Sequence, residues 1–87
     1  MYYVYLLINK KKSYKYVGIT KDIKKRLRDH NQGKTRSTKP YRPFDKIIIL
    51  DKLESRKEAR EREKYFKSAT GRKKRELILN TERSSVG

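Results

Sequence analysis

Hydrophobic positions fall into three runs and a few helical stripes. The first run, Tyr2-Tyr3-Val4-Tyr5-Leu6-Leu7-Ile8, is followed after Asn9-Lys10-Lys11-Lys12-Ser13 by a second, Tyr14-Lys15-Tyr16-Val17-Gly18-Ile19. Both are rich in the β-branched and aromatic types that suit a pleated, half-buried surface. The lysine-rich segment between them has turn formers at its ends, so the pair predicts a β-hairpin. A turn centred between Lys10 and Lys11 places Tyr5 opposite Tyr16, with two phenols on one face of the sheet.

Beyond the hairpin the period changes. Ile23 and Leu27 stand one helical turn apart, with Thr20 as a cap, Asp22 in the first turn and Gly33 as the stop, which predicts a helix over 21–31. Gly33 to Pro43 has no apolar period and holds two prolines and four basic side chains, so it reads as a loop. Ile47-Ile48-Ile49-Leu50 predicts a third, largely buried strand. Ser55-Arg56-Lys57-Glu58 has the form of a capping box and opens a second helix that runs through Ala59, Glu63 and Phe66 to about Ser68. Gly71 is expected to break or bend it. A short third helix through Leu77 and Ile78 would close the core, leaving 81–87 as a frayed tail. The order is β-β-α-β-α-α, which implies an α+β domain over 1–80 with a three-stranded antiparallel sheet flanked by helices.

Composition narrows the function. Only 33% of the 87 residues are apolar, yet they cluster, which separates the chain from a disordered basic tail. Lysine and arginine number 26 against 10 acidic residues, a formal charge of +16, and such an excess favours a polyanionic partner. The absence of cysteine removes disulfides and thiolate metal sites. No apolar run is long enough for a transmembrane helix, no amphipathic basic helix points to a membrane surface, and the N-terminus lacks a signal-peptide pattern, so a cytoplasmic or nucleoid location is the expectation.

Tyr3-Val4-Tyr5 and Tyr16-Val17-Gly18, with Tyr16 standing 11 positions after Tyr5, resemble the paired motif of the GIY-YIG nuclease superfamily, Tyr3 standing where the name-giving glycine would be. The resemblance spans residues 2–72 and implies the GIY-YIG endonuclease fold, as in the small stand-alone bacterial members. Arg26 and His30 match an arginine that follows the second motif and a histidine one turn later. At a phosphodiester, a guanidinium fork holds two phosphate oxygens, and an imidazole donates a hydrogen bond or relays a proton.

Glu58, Glu61 and Glu63 lie on the second helix, and helical geometry turns Glu63 toward Ala59 and Phe66, Glu61 away, and Glu58 to the cap. An inward carboxylate needs a partner, either an ion pair with Arg26 or a lysine, or a divalent cation. The resemblance favours the cation, since the stretch from Ala59 to Lys67 looks like the helix that carries the single metal-binding glutamate of these nucleases. It therefore implies Mg²⁺ or Mn²⁺ at Glu63, a water positioned or deprotonated by Tyr5 with Tyr16 beside it, and Arg26 against the phosphate. Positive surroundings are expected to favour the Tyr5 phenolate.

The basic loop, with Lys34, Arg36, Lys39 and Arg42, is a candidate contact for a phosphate backbone. The reading reached is a metal-dependent DNA endonuclease of low base specificity, acting on branched, nicked or single-stranded DNA, with a targeting protein as a further partner. Two alternatives are a non-catalytic nucleic-acid-binding module on a nuclease-derived scaffold, and an RNA-binding accessory protein whose tyrosines stack unpaired bases.

Overall fold

A computed structural model of the chain describes residues 1–9, 11 and 14–86, with backbone alone over 81–86. Three strands, β1 (Tyr2–Asn9), β2 (Tyr14–Thr20) and β3 (Lys46–Leu53), form one antiparallel sheet in the order β2-β1-β3. Helix α1 (Ile23–Asn31) follows β2, and a single 3-10 turn (Lys39–Tyr41) lies in the loop before β3. Helices α2 (Arg56–Lys67) and α3 (Ala69–Val86) complete the chain in the order expected. No helix among the described residues is long and apolar enough to cross a membrane.

The central position of β1 explains its unbroken apolar run, because a strand covered on both faces has no polar side to present. Val4, Leu6 and Ile8 face one layer, where they pack with Val17, Ile48, Ala59 and Phe66. Tyr5 and Leu7 face the other, with Phe44 buried beside them and Tyr14, Tyr16, Ile23, Leu27 and Ile47 partly buried around them. The sheet is thus a divider between two cores.

The hairpin register differs from the expected one by two residues. Tyr5 pairs with Gly18, and Tyr16 pairs with Leu7. A shift of two preserves the side-chain alternation, so both phenols still share a face, diagonally rather than opposite. The third strand is longer and less buried than expected, since it forms an edge of the sheet. Ile48 is covered, but Ile49 is 41% exposed, and the pairing with β1 is irregular between Val4 and Tyr5.

Helix boundaries follow the caps. Asp22, not Thr20, caps α1, with its side chain accepting from the Lys25 amide at 3.1 Å. The Thr20 hydroxyl instead accepts from the Asp22 amide. Gly33 ends α1 at φ 77°, and the amides of Gly33 and Lys34 donate back to the carbonyls of His30 and Asp29, the paired bonds of a Schellman stop. Ser55 caps α2 by accepting from the Glu58 amide, as expected.

The break between α2 and α3 falls at Ser68, three residues before Gly71. The Ser68 amide and hydroxyl both donate to the Tyr65 carbonyl, while its own oxygens accept from the amides of Gly71 and Arg72. Gly71 serves close approach instead, since a Cβ there would lie 1.8 Å from the Tyr65 carbonyl oxygen. On α3 it is Ile78 and Leu79 that pack on the core, whereas Leu77 is 62% exposed. The third helix is longer than the short one expected, at 18 residues, and the expected frayed tail over 81–87 falls on its last turns, whose side chains lie outside those described, and on residue 87, which lies outside them altogether.

Candidate active site

Tyr5 is fully buried, and its hydroxyl is the hub of a polar cluster inside the second core. The β-alternation points its ring at α1, where Arg26 and His30, one turn apart, both reach it. His30 Nε2 is 2.8 Å from Tyr5 Oη, and Arg26 Nε donates to the same oxygen at 3.2 Å. On the far side of the imidazole, Nδ1 lies 2.7 Å from Thr38 Oγ1. His30 and Thr38 are both at 0% exposure. The imidazole also meets Phe44 and Tyr16 edge-to-face, at centroid distances of 6.0 and 5.4 Å.

Gly18 shapes this cluster through the register. A Cβ at that position would stand 2.5 Å from Tyr5 Oη and 3.0 Å from Tyr16 Cε2. The strand opposite Tyr5 must therefore lack a side chain for both rings to lie as they do. Tyr16, half-buried on the edge strand β2, is 6.4 Å from Tyr5 between ring centroids and forms the outer part of the site.

From the sheet's other side, α2 brings Glu63 and Lys67 to the β2 edge. Glu63 has a 23% exposed side chain and pairs with Lys67 at 3.5 Å, so the lysine partner expected as one alternative for this carboxylate is present in the form of an exposed i,i+4 contact. Lys67 Nζ also lies 5.9 Å from the centre of the Tyr16 ring. Arg26 is turned to Tyr5 instead. The Glu63 charge is close enough to act on the Tyr5 phenol, as is that of Arg26.

Burial decides the protonation states. It pushes Tyr5 up to about 12, against the opposing hydrogen bond and charge of Arg26, so the expected preference for phenolate is reversed. Burial, aided by the Arg26 charge, lowers His30 to about 4. The Tyr5 bond holds the Arg26 guanidinium more firmly protonated. At neutral pH the cluster is a neutral phenol and a neutral imidazole beside one fixed cation.

Among the described residues no group of three or more His, Cys, Asp or Glu side chains is placed to hold a metal ion. That donor set does not make an all-protein cage. A lone partly exposed carboxylate, Glu63, does fit a cation such as Mg²⁺, which keeps most of its waters and shares its shell with a substrate phosphate.

The four basic residues of the loop stand exposed outside the cluster. Lys34 lies 3.5 Å from Asp29, and Arg42 packs its guanidinium over Gly33. Arg36 and Lys39 are open to solvent. The loop itself is tied down by polar residues outside the apolar pattern. Asn31 accepts from the Phe44 amide at 2.7 Å, Asn9 donates to the Tyr41 carbonyl, and Thr38 reaches His30. Polar residues in a segment without period carry no signal for which way they face.

A family model described as the GIY-YIG catalytic domain matches residues 1–76. The chain belongs to the GIY-YIG family. Among GIY-YIG relatives it is similar to UPF0213 protein YazA of Bacillus subtilis, 41% identical over 71 residues covering 80% of this chain and 70% of that one. UPF0213 protein CPE1444 of Clostridium perfringens is 36% identical over 78 residues, 90% of this chain and 83% of the relative. UPF0213 protein lmo0166 of Listeria monocytogenes is 34% identical over 85 residues, 97% and 92% respectively. No solved structure matches the chain. GIY-YIG membership makes this a domain of a nuclease family and nucleic acid the class of substrate to consider, and the two strand motifs are the ones that build the Tyr5–Gly18–Tyr16 face.

Proposed function

We propose that the protein is a divalent-metal-dependent endonuclease that hydrolyses phosphodiester bonds in DNA, directed by DNA structure or only weakly by sequence. The observation that supports this most is the convergence of Tyr5, Arg26 and His30 in one hydrogen-bonded cluster, with Tyr16 and Glu63 at its outer edge. An apolar core of this size has no structural need for such a group, because every buried polar atom must find a partner.

The division of labour follows from burial. Tyr5 is sealed, with Arg26 and His30 around its hydroxyl, and in that state aims the Arg26 guanidinium. Arg26 uses only Nε on Tyr5, which leaves its two terminal amino groups for the oxygens of the scissile phosphate. Tyr16, on the open side, orients the attacking water. Glu63 supplies the carboxylate for Mg²⁺ or Mn²⁺. When bound, the cation supplies Lewis-acid stabilisation of the charge on the phosphate and the leaving oxygen. Lys34, Arg36, Lys39 and Arg42 hold the flanking backbone without reading bases.

The test is cleavage of labelled branched, single-stranded and duplex DNA with Mg²⁺ or Mn²⁺, comparing the natural protein with Glu63→Ala. Cutting by the natural protein and a loss on the order of 100-fold or more in the variant, with DNA binding and folding retained, is the expected result. Tight binding with no cutting of any substrate would replace this reading with that of a binding module, and Glu63 would then serve as the partner of Lys67.

A further inference from the structure

The hydrogen bonds around His30 form a chain whose direction can be worked out from one end. Arg26 has only donors, so Tyr5 Oη accepts at 3.2 Å from Nε. The Tyr5 hydroxyl is wholly buried, and His30 Nε2 at 2.8 Å is the acceptor that its own proton meets. A neutral imidazole carries one N–H, so with Nε2 accepting, the proton is on Nδ1. Nδ1–H then donates to Thr38 Oγ1 at 2.7 Å, and the Thr38 proton turns to the Thr35 carbonyl at 3.3 Å, the back-bonding geometry of a threonine in a turn. Each donor has an acceptor, and the chain ends on the backbone.

The opposite tautomer breaks this order. With the proton on Nε2, both His30 and Arg26 donate to the Tyr5 oxygen, and the Tyr5 proton, at 0% exposure, loses its acceptor. We infer that Thr38 is a positioning residue of the site, which accepts from Nδ1–H of the His30 tautomer that the Arg26–Tyr5 end selects, holds the imidazole in place and through Tyr5 sets the orientation of Arg26. Its place is in the segment after α1, eight residues beyond His30, where the Gly33 stop and the turn over 35–38 fold the chain back over the imidazole. This gives the basic loop a second role beyond contact with a phosphate backbone. It holds the histidine from behind. The effect on cleavage rests on the nuclease reading, whereas the tautomer does not.

His30 is the single histidine of the chain, so its two ring nitrogens are the only imidazole signals in a long-range nitrogen–proton NMR spectrum of the labelled protein. The natural protein should show the proton on Nδ1. Thr38→Val keeps the branched shape but removes the acceptor, and should shift the population toward Nε2–H. Its kcat should fall about tenfold, the low end of what losing a histidine-orienting partner costs at metal-bound histidines, with DNA affinity unchanged. Thr38→Ser restores the hydroxyl and should restore both readings.

A natural protein protonated on Nε2 would overturn the inference, as would a folded Thr38→Val that keeps both tautomer and kcat. If Thr38→Val does not fold, Thr38→Ser decides with the natural protein: a retained Nδ1–H supports the assignment and its loss refutes it. If the natural protein cuts no DNA, the nuclease reading fails by itself and the NMR result still settles the role of Thr38 toward His30.

Discussion

Val4, Leu6 and Ile8 on one face of β1 are as deeply buried as Tyr5, Leu7 and Asn9 on the other, yet they meet different surroundings. The first three pack against aliphatic and aromatic groups of β2, β3 and α2. Around the second three lie His30, Thr38 and the Tyr5 hydroxyl, all at 0% exposure and each dependent on a partner of fixed direction. Apolar burial tolerates small shifts, because dispersion and the removal of water are not directional. A hydrogen-bonded core does not, since an unpaired member costs more than the bond contributed. One face therefore holds the fold together and the other holds a set of groups in fixed relation.

This comparison breaks most visibly if the aliphatic face is cut. Ile48 lies on β3, with β1 between it and the edge strand that carries Tyr16, and is 4% exposed. Ile48→Ala should destabilise the domain by about 2–5 kcal/mol, the range for such truncations, read as a lower denaturant midpoint. Cleavage per folded molecule should be unchanged. Activity that fell in proportion beyond the unfolded fraction would show that the two faces are coupled through the sheet.

The polar face should respond instead to pH. Burial lowers His30 to about 4 from an ordinary 6.5, so in the fold it stays neutral where the unfolded histidine is protonated. Between these values the unfolded state binds the extra proton, and stability is fully present above pH 6.5 and is lost as pH falls toward 4. The shift corresponds to a loss on the order of 3 kcal/mol. Carboxylates titrate in the same window, so the measurement is the difference between natural protein and His30→Gln in unfolding free energy from pH 7 to 4. The natural protein should show the steeper decline. Equal slopes would place the imidazole in a wetter site than the fold provides.

Legibility followed the same division. The elements carried by apolar period were readable, namely the hairpin, the third strand and the face of α2 that turned Glu63 toward the protein, whereas the exposure of Ile49 and Leu77 was not. Local hydrogen bonding was readable where a short-range motif announced it, as with Ser55 and Gly33. The register was not, because a polar lysine-rich connection specifies neither its length nor its turn type, and the two-residue shift that sets Gly18 against Tyr5 leaves the pattern of faces unaltered. Thr38, Asn9 and Asn31 were invisible for a related reason. Their burial arises from long-range closure of the loop on α1 and β1, which no local pattern encodes. The Tyr5 ionisation departs from expectation because net charge is legible in a sequence while desolvation is not, and here desolvation dominates.

The smallest expected effect lies outside both faces, on the loop surface. Lys34 and Arg36 belong to the same segment and carry the same charge, but Lys34 stands 3.5 Å from Asp29 while Arg36 is exposed. A cation that releases one counterion on meeting a phosphate contributes close to one to the slope of log affinity against log salt. Arg36→Ala should therefore reduce that slope by about 1 and weaken binding to all DNA sequences alike. Lys34→Ala should reduce it by less, because Asp29 already offsets part of the lysine charge and is itself left uncompensated when the lysine is removed. Salt titrations of DNA binding for both variants read the difference directly. Equal slopes would mean that the Lys34–Asp29 contact opens when DNA arrives, and that the loop presents its full charge to the backbone.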